Sequence, residues 1–297
     1  MPIPENQLET WSHQGSITQS STTYNTIKSA LESPYSPYAD KDYTIFLQGS
    51  YGNDTNIHAE SDVDIVILLN STFYHDLDNL PDDQKAAFKS AHSDATYDHA
   101  SFKQDVLTFL KEKYGDSVKD GKKAIQIEAN GSRRKADVIV ACEFRRYYRF
   151  LSTANENHDT GICFFTTDNT QIINYPKQHS ENCTTKHKAT KQKLKPMVRI
   201  LKNMRVRMVK EGILEAGLAP SYYIEGLLYN VPNDKFFTRY EDSFVSCINW
   251  LVDTDRNDFV CANEQYYLLR DGSPVTWRKD ECTKFIDALC TLWNNWK

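Results

Sequence analysis

The stretch Tyr43-Thr44-Ile45-Phe46-Leu47-Gln48-Gly49-Ser50-Tyr51-Gly52-Asn53 leads, after a short polar interval, into Asp62-Val63-Asp64-Ile65-Val66-Ile67-Leu68-Leu69. Tyr43 to Gln48 reads as a strand, and Gly49 to Asn53 as a turn. Val63 to Leu69 is β-branched and largely apolar, the pattern of a second, buried strand. Asp62 and Asp64 stand at i and i+2 where it opens, so their side chains point to one face. Two carboxylates held that close repel each other, and a divalent cation between them removes the repulsion. Hard oxygen donors with open positions suit Mg²⁺, which also takes substrate phosphates. Upstream, Gly49 permits backbone approach to an anion, and Ser50 with the following amides can donate to phosphate oxygens. An Asp-x-Asp alone reads equally well as a solvated strand end. A phosphate cradle twelve residues before the pair is what gives it chemical meaning.

A third carboxylate, Asp137, lies in another apolar run, Lys135 to Ala141. Asn130-Gly131 is a hairpin signal joining that run to Ala124–Ala129. If the Asp137 strand neighbours Val63–Leu69, three acids converge as a two-metal phosphoryl-transfer site requires. Elsewhere, a helix is expected from about Thr23 to Glu32, ended by Ser33-Pro34. Residues 70–100 read as a surface insertion. Tyr97–Tyr114 reads as a helix with Phe102, Val106, Phe109 and Leu110 on one face. Residues 152–187 read as polar and irregular. From Lys188 the chain reads as helical, with Leu194, Met197/Val198, Leu201, Met204 and Met208 at 3.6-residue spacing. Further helices are expected from Ser221, across Phe244–Val252 and across Thr283–Trp296. The expectation is an α+β fold, with an N-terminal helical segment over 1–38, a catalytic core over 39–185 and a helical lobe over 186–297.

Composition narrows the function. The 297 residues carry 35 Lys+Arg against 40 Asp+Glu, a net charge of −5, which excludes a globally basic nucleic-acid wrapper. There is no apolar run long enough for a transmembrane helix. The start, Met1-Pro2-Ile3-Pro4-Glu5-Asn6, has no basic and apolar leader, so a cytoplasmic protein is expected. Seven cysteines without a C-x-x-C pair read as free thiols. Against the acidic whole, Lys186 to Lys210 holds ten Lys/Arg and no acid. Such a run is usually a solvated helix face. Here it suits the neutralisation of a polyphosphate. His179-x3-Cys183-x3-His187, with Cys163, can be drawn as a zinc site. Lacking a paired C-x-x-C, it is read as none.

Gly49-Ser50-Tyr51-Gly52-Asn53-Asp54-Thr55-Asn56 with Ser61-Asp62-Val63-Asp64-Ile65 resembles the signature of the polymerase β-like nucleotidyltransferases. Within them the chain is similar to the CD-NTases, the cGAS/DncV-like enzymes of bacterial CBASS anti-phage defence, clade E. Phe46-Leu47-Gln48-Gly49-Ser50-Tyr51, Ile173-Asn174-Tyr175-Pro176, Val198-Arg199-Ile200-Leu201-Lys202 and Pro220-Ser221-Tyr222-Tyr223-Ile224-Glu225 carry that likeness. The resemblance implies a mixed β-sheet with flanking helices, a helical lobe, and an active site in the cleft between them. It implies synthesis of a cyclic dinucleotide or oligonucleotide second messenger from ATP, UTP, GTP or CTP, with pyrophosphate released and a neighbouring effector answering to the product. Asp62, Asp64 and Asp137 would be the catalytic metal ligands for two Mg²⁺ ions, with Mn²⁺ as a substitute. Gln48, Gly49 and Ser50 would bind nucleotide, Lys202 would contact phosphate, Ser221 would donate to it, and Tyr222 or Tyr223 would stack on a base. Asn174 would read a base edge, a pyrimidine among the choices, or else simply cap the turn before Pro176. The bacterial members need no zinc thumb, and a monomer with no membrane and no nucleic-acid template is expected. Two other readings stay open on the same residues: a template-independent poly(A)- or CCA-type tailing enzyme, and a catalytically silent nucleotide-binding module.

Overall fold

The apolar run after Asp62 becomes a strand longer than its sequence pattern. In the computed structural model, which describes every residue except Met1, Ser16, 59–61, Ser132 and Pro274, the elements in chain order are α1 (Glu5–Ser12), α2 (Thr18–Leu31), β1 (Tyr43–Gln48), α3 (Gly49–Gly52), β2 (Val63–Asp76), α4 (Asp82–Ala91), α5 (His99–Tyr114), β3 (Val118–Asp120), β4 (Ile125–Ile127), β5 (Ala136–Ser152), β6 (Asn155–Phe165), β7 (Gln171–Asn174), α6 (Pro176–Ala189), α7 (Leu194–Lys210), α8 (Ser221–Asn230), α9 (Tyr240–Asp253) and α10 (Lys279–Asn294). Contacts divide the chain into two units. One comprises Thr18–Gln48 and Asp62–Pro176, the other Met1–Ile17, Gly49–Ser61 and Lys177–Lys297. The expected segments 1–38, 39–185 and 186–297 do not coincide with these units. The N-terminal helical segment is shared between them, and the Gly49 turn belongs with the helices.

The first unit is built on a mixed sheet in the order β1-β2-β5-β4-β3, extended by β6 on β5 and β7 on β6. Only β2 and β5 pair in parallel among these strands. Val63, Ile65, Val66, Ile67, Leu68 and Leu69 are all buried, as a strand covered on both faces requires. In α5, Phe102, Val106 and Leu110 are fully buried, while Phe109 lies at the margin and meets the Tyr38 ring edge-on. Asp98 caps this helix by accepting from the Ser101 amide.

Two sequence expectations are corrected. Residues 70–100 are not a mere insertion, because β2 continues past a register shift after Leu69 and stays paired with β5 as far as Asp76–Arg146. There α4 lays Phe88 against Tyr147 and Phe150 to form a small core of its own. Residues 152–187 are not irregular either: β6, β7 and α6 fill them. Their outward polar residues break the apolar signal, since β6 is paired along its length yet buried mainly at its Gly161–Phe164 end.

In the helical unit, α7 follows its periodicity. Leu194, Met197, Val198, Leu201, Met204 and Met208 are all buried at its core face. Trp277 is fully buried, and its Nε1 donates to the Leu218 carbonyl at 2.9 Å. Glu5 of α1 accepts from the amides of Tyr240 and Glu241 at 2.7 and 2.8 Å, supplying α9 with a cap from a distant part of the chain. All seven cysteines are free. No helix among the described residues is long and apolar enough to cross a membrane.

Gly161 marks the tightest approach in the sheet unit. A Cβ there would lie 2.7 Å from the Asn174 carbonyl oxygen and 2.9 Å from the Tyr175 ring. Backbone cannot rotate away as a flexible side chain does. Gly161→Ala is therefore expected to cost about 1–3 kcal/mol and to lower the melting temperature by several degrees. An unchanged melting temperature would show that β6 and β7 are free to separate there.

Candidate functional site

In the sheet unit the chemistry follows from strand register. Asp64 of β2 pairs in register with Asp137 of β5, and on the other side of Asp64 stands Gln48, the last residue of β1. Asp62 immediately precedes β2 and receives the Lys135 ammonium at 3.5 Å. The sequence-predicted acids Asp62, Asp64 and Asp137 therefore sit on neighbouring strands at one end of the parallel pair. Asp137 is half-buried, and its Oδ1 is fully shielded from solvent without a hydrogen-bond partner among the described residues. Burial first, then the Asp62 charge, holds its pKa above the usual carboxylate range, against the opposing pull of Lys135. Lys135 answers in the other direction. Burial pulls it down, yet Asp62 and Asp137 outweigh that and raise it.

These observations decide whether a cation suits the residues present. A shielded carboxylate oxygen lacking a donor costs free energy that a metal ligand bond removes. All three donors are hard oxygens, and an ammonium already stands beside Asp62 as the positive charge. The set fits a divalent cation such as Mg²⁺. Gln48 Oε1 is likewise shielded and without a hydrogen-bond partner.

The Gly-Ser turn lies in the helical unit. Gly49 has φ +67°, the left-handed region that glycine enters without steric cost. The Asn53 amide donates to the Gly49 carbonyl at 3.0 Å and the Thr55 amide to the Ser50 carbonyl at 2.9 Å, closing the turn. Beyond it, each residue from Asn53 to Asn56 is fastened. Asn53 Nδ2 donates to Glu225 Oε2 at 3.0 Å, and the Thr55 hydroxyl donates to Glu225 Oε1. Lys195 pairs with Asp54 at 3.0 Å, while Arg199 donates to the Asp54 carbonyl at 2.5 Å. Asn56 exchanges bonds with Gly15, whose amide donates to the Asn56 carbonyl at 3.1 Å. Ser61, the residue before Asp62 in the predicted motif, lies outside the described residues.

Glu225 is the centre of this arrangement. It is 2% exposed and also bonds His179 Nε2 at 2.6 Å. Burial alone would raise the Glu225 pKa, but His179, Thr55 and nearby Lys202 bring it below its ordinary value. Burial pulls His179 down, and the Cys183 sulfur and Glu225 carboxylate overcome it, raising the imidazole to about 10. Both shifts run in the direction of a charged pair.

The remaining predicted residues have specific surroundings. Lys202 is fully buried, and its ammonium donates to the Thr55 carbonyl at 3.0 Å. Ser221 opens α8, where its hydroxyl accepts from Arg205 at 3.3 Å. Tyr222 stacks on His179 with centroids 4.9 Å apart, and its hydroxyl accepts from Asn263 at 3.0 Å. Tyr223 stacks on Trp277. Each tyrosine thus already has an intramolecular ring partner. Asn174 ends β7, and its Oδ1 accepts from the Tyr175 amide at 2.8 Å, the turn-type bond that leads into Pro176.

The basic run proves to be largely internal fastening. Lys186 donates to the Val231 carbonyl and Lys193 to the Thr238 carbonyl, each at 2.6 Å. Arg205 donates to the Ala219 carbonyl, and Arg199 also holds the Ser12 carbonyl at the end of α1. Long cationic stems carry a donor across apolar packing to a carbonyl that would otherwise go without. His187, drawn into the zinc motif, instead accepts from the Lys195 amide at 3.3 Å, and Cys163 lies on β6. Glu225 takes the third place beside His179 and Cys183, their ligand atoms all within 4.8 Å of one another. Sequence reading quoted Glu225 within a motif but gave it no task. Its only signal was a carboxylate at an otherwise apolar position of α8.

Residues 25–173 match the nucleotidyltransferase domain family, and residues 181–294 match the cGAS/DncV-like nucleotidyltransferase C-terminal helical domain. Over the whole chain and 99% of its relative, the sequence is 38% identical to the cyclic UMP-AMP synthase of Rhodothermus marinus. Over 98% of the chain and 97% of the relative, it is 35% identical to a cyclic dipyrimidine nucleotide synthase, CdnE, of Legionella pneumophila. The solved structure of the Rhodothermus marinus CdnE c-UMP-AMP synthase with Apcpp and Upnpp superposes with a TM-score of 0.89 at 36% identity, covering 99% of this chain and 98% of that one. The mixed sheet carrying three acids, the fastened Gly-Ser turn and these matches along its full length make the chain a member of the CD-NTases, the cGAS/DncV-like nucleotidyltransferases, alongside the CdnE enzymes.

Proposed function

We propose that this chain joins two nucleoside triphosphates into a cyclic dinucleotide, in a Mg²⁺-dependent reaction that releases one pyrophosphate for each bond formed. The observation that carries the reading is the register pairing of Asp64 with Asp137, beside Asp62, with a shielded Asp137 oxygen that lacks a donor. In each step an acceptor hydroxyl oxygen attacks the α-phosphorus of a donor triphosphate, and the bond to the pyrophosphate oxygen breaks. Bound Mg²⁺ ions, two of them held by Asp62, Asp64 and Asp137, would supply charge neutralisation for the triphosphate and acidify the attacking hydroxyl. Asp137 would also help accept the proton of that hydroxyl. Gly49 and Ser50 offer backbone and hydroxyl donors to polyphosphate oxygens. Gln48, Ser221, Lys202 and Tyr222 complete the proposed nucleotide contacts, Lys202 through the loop it holds. Asn174 is the proposed reader of a base edge.

Two relatives favour a product that contains a pyrimidine, while a third, 34% identical over 93% of the chain, is named for a dipurine product. Of the first two, one is named for a UMP-AMP product and the other for a dipyrimidine. The product's proposed role is that of a second messenger in anti-phage defence, acting on an effector inside the cell. The test is to incubate the protein with Mg²⁺ and each pairing of labelled ATP, GTP, CTP and UTP, treat with phosphatase, and identify products by mass. The expected result is a phosphatase-resistant cyclic product incorporating UMP or CMP. Linear or primer-extended chains alone would move the reading to a tailing enzyme.

The acids also make a stability prediction of definite sign. A carboxyl whose folded pKa is raised favours the folded state below its unfolded pKa, and that favour is lost as pH rises through the folded value. At neutral pH the ionised Asp137 is therefore a cost to folding. Asp137→Asn is expected to melt at the same or a higher temperature at pH 7, an advantage that disappears near pH 3. The same variant, and Asp62→Ala with Asp64→Ala, should lose at least about a hundredfold in synthesis. Clear destabilisation of Asp137→Asn at pH 7 would make the acids structural.

A further inference from the structure

The geometry points to Glu225 as a positioning residue: its buried carboxylate pre-organises the Gly49–Thr55 turn for the triphosphate, a role that rests on the nucleotide-binding reading of Gly49 and Ser50. Glu225 acts on those residues through the chain that follows them. It holds the segment directly beyond them, through Asn53 and Thr55.

A fully buried carboxylate is tolerated only when its oxygens are satisfied and its charge is matched. Here the donors come from two sources. His179 on α6 provides one, at 2.6 Å. The loop itself provides the other two, Asn53 Nδ2 at 3.0 Å and the Thr55 hydroxyl. If the loop lifts away, Glu225 keeps its imidazolium but loses both loop donors in a place water does not reach. Opening the loop therefore carries the penalty of unsatisfied buried acceptors. Lys202 adds a second bond to the same residue, since its fully buried ammonium holds the Thr55 carbonyl at 3.0 Å. Thr55 is thus gripped by side chain and by backbone from two helices. Its amide in turn holds the Ser50 carbonyl at 2.9 Å, and the Asn53 amide holds that of Gly49. The chain of bonds runs from Glu225 through Thr55 and Asn53 to the two residues proposed to meet phosphate. A turn fixed before the ligand arrives does not lose its freedom on binding, and its donors are aimed without reorganisation.

His179 presents Nε2 to Glu225 at 2.6 Å, a direct hydrogen-bonding distance.

The test uses the full-length protein with Mg²⁺ and a non-hydrolysable ATP analogue, with affinity measured by calorimetry and kcat and KM measured on NTPs. Thr55→Val keeps the shape of the side chain and the carbonyl that Lys202 holds, but removes the hydroxyl given to Glu225. It is expected to weaken analogue binding about tenfold, which is about 1.4 kcal/mol, and to raise KM while kcat stays within about twofold. Amide hydrogen exchange at Asn53 and Thr55 should quicken. Thr55→Ser restores the hydroxyl and should restore affinity. Glu225→Gln should weaken binding further if it folds. Ile286→Val, a buried change on α10 away from the loop, serves as the control for stability alone and should leave affinity unchanged. Unchanged affinity in Thr55→Val, or losses that track melting temperature across all variants including Ile286→Val, would overturn the positioning role. A wild-type protein that does not bind the analogue would overturn the nucleotide reading together with it, a separate and visible result.

Discussion

The parallel pairing of β2 with β5 is the constraint on which the sheet unit depends. Pairing side by side in parallel requires a long connection between the strands, and here it contains α4, α5, β3 and β4. It also requires both faces to be covered, which explains the unbroken apolar run of β2. Register then does chemical work. Because Asp64 stands opposite Asp137, a slip of one residue would turn one carboxylate to the other face of the sheet. The core that buries Val66 and Ile139 therefore also fixes the spacing of the acids.

The two units handle buried charge in opposite ways. In the helical unit Glu225 is fully compensated, by an imidazolium, two neutral donors and a nearby ammonium, and this stiffens everything attached to it. In the sheet unit Asp137 keeps an oxygen without a donor, and Lys135 meets Asp62 only at 3.5 Å. Satisfied charge serves the scaffold. At a shielded carboxylate oxygen without a donor, a bound ligand would relieve a cost.

Legibility in the sequence followed the same division. The strands around Gln48 and Val63, the hairpin at Asn130-Gly131 and the helices at Leu194 and Ser221 all carry strong local signals, and each is present. The acids stood out because a Gly-Ser turn comes twelve residues before them; an Asp-x-Asp opening an apolar strand reads equally well as a solvated strand end when taken alone. What failed was local reading of elements whose burial is one-sided or partial. β6, α4 and α6 expose many polar residues and owe their form to partners far away in sequence. Lys202 illustrates the limit in a single residue. A lysine in a basic run looks like a phosphate ligand, and only the three-dimensional position of Thr55, 147 residues earlier, shows where its ammonium goes.

Base choice requires a different kind of residue. Enzymes of related sequence named for different base pairs share the scaffold, so selectivity must rest on few positions that vary without disturbing it. Asn174 meets that condition. Its backbone is set at the end of β7 by the close approach of Gly161, and its Oδ1 accepts from the next amide in the chain. The side chain can therefore change while the strand end stays fixed. An amide there can present a donor to a base, and a different side chain could present an acceptor or an apolar surface. Discrimination gained this way is strong when it leaves a buried polar group unpaired against the wrong base, and weak when it only changes shape. The proposed reader of the base thus stands in the sheet unit and the stiffened phosphate turn in the helical one. On that proposal, selection and affinity would be altered independently by mutation.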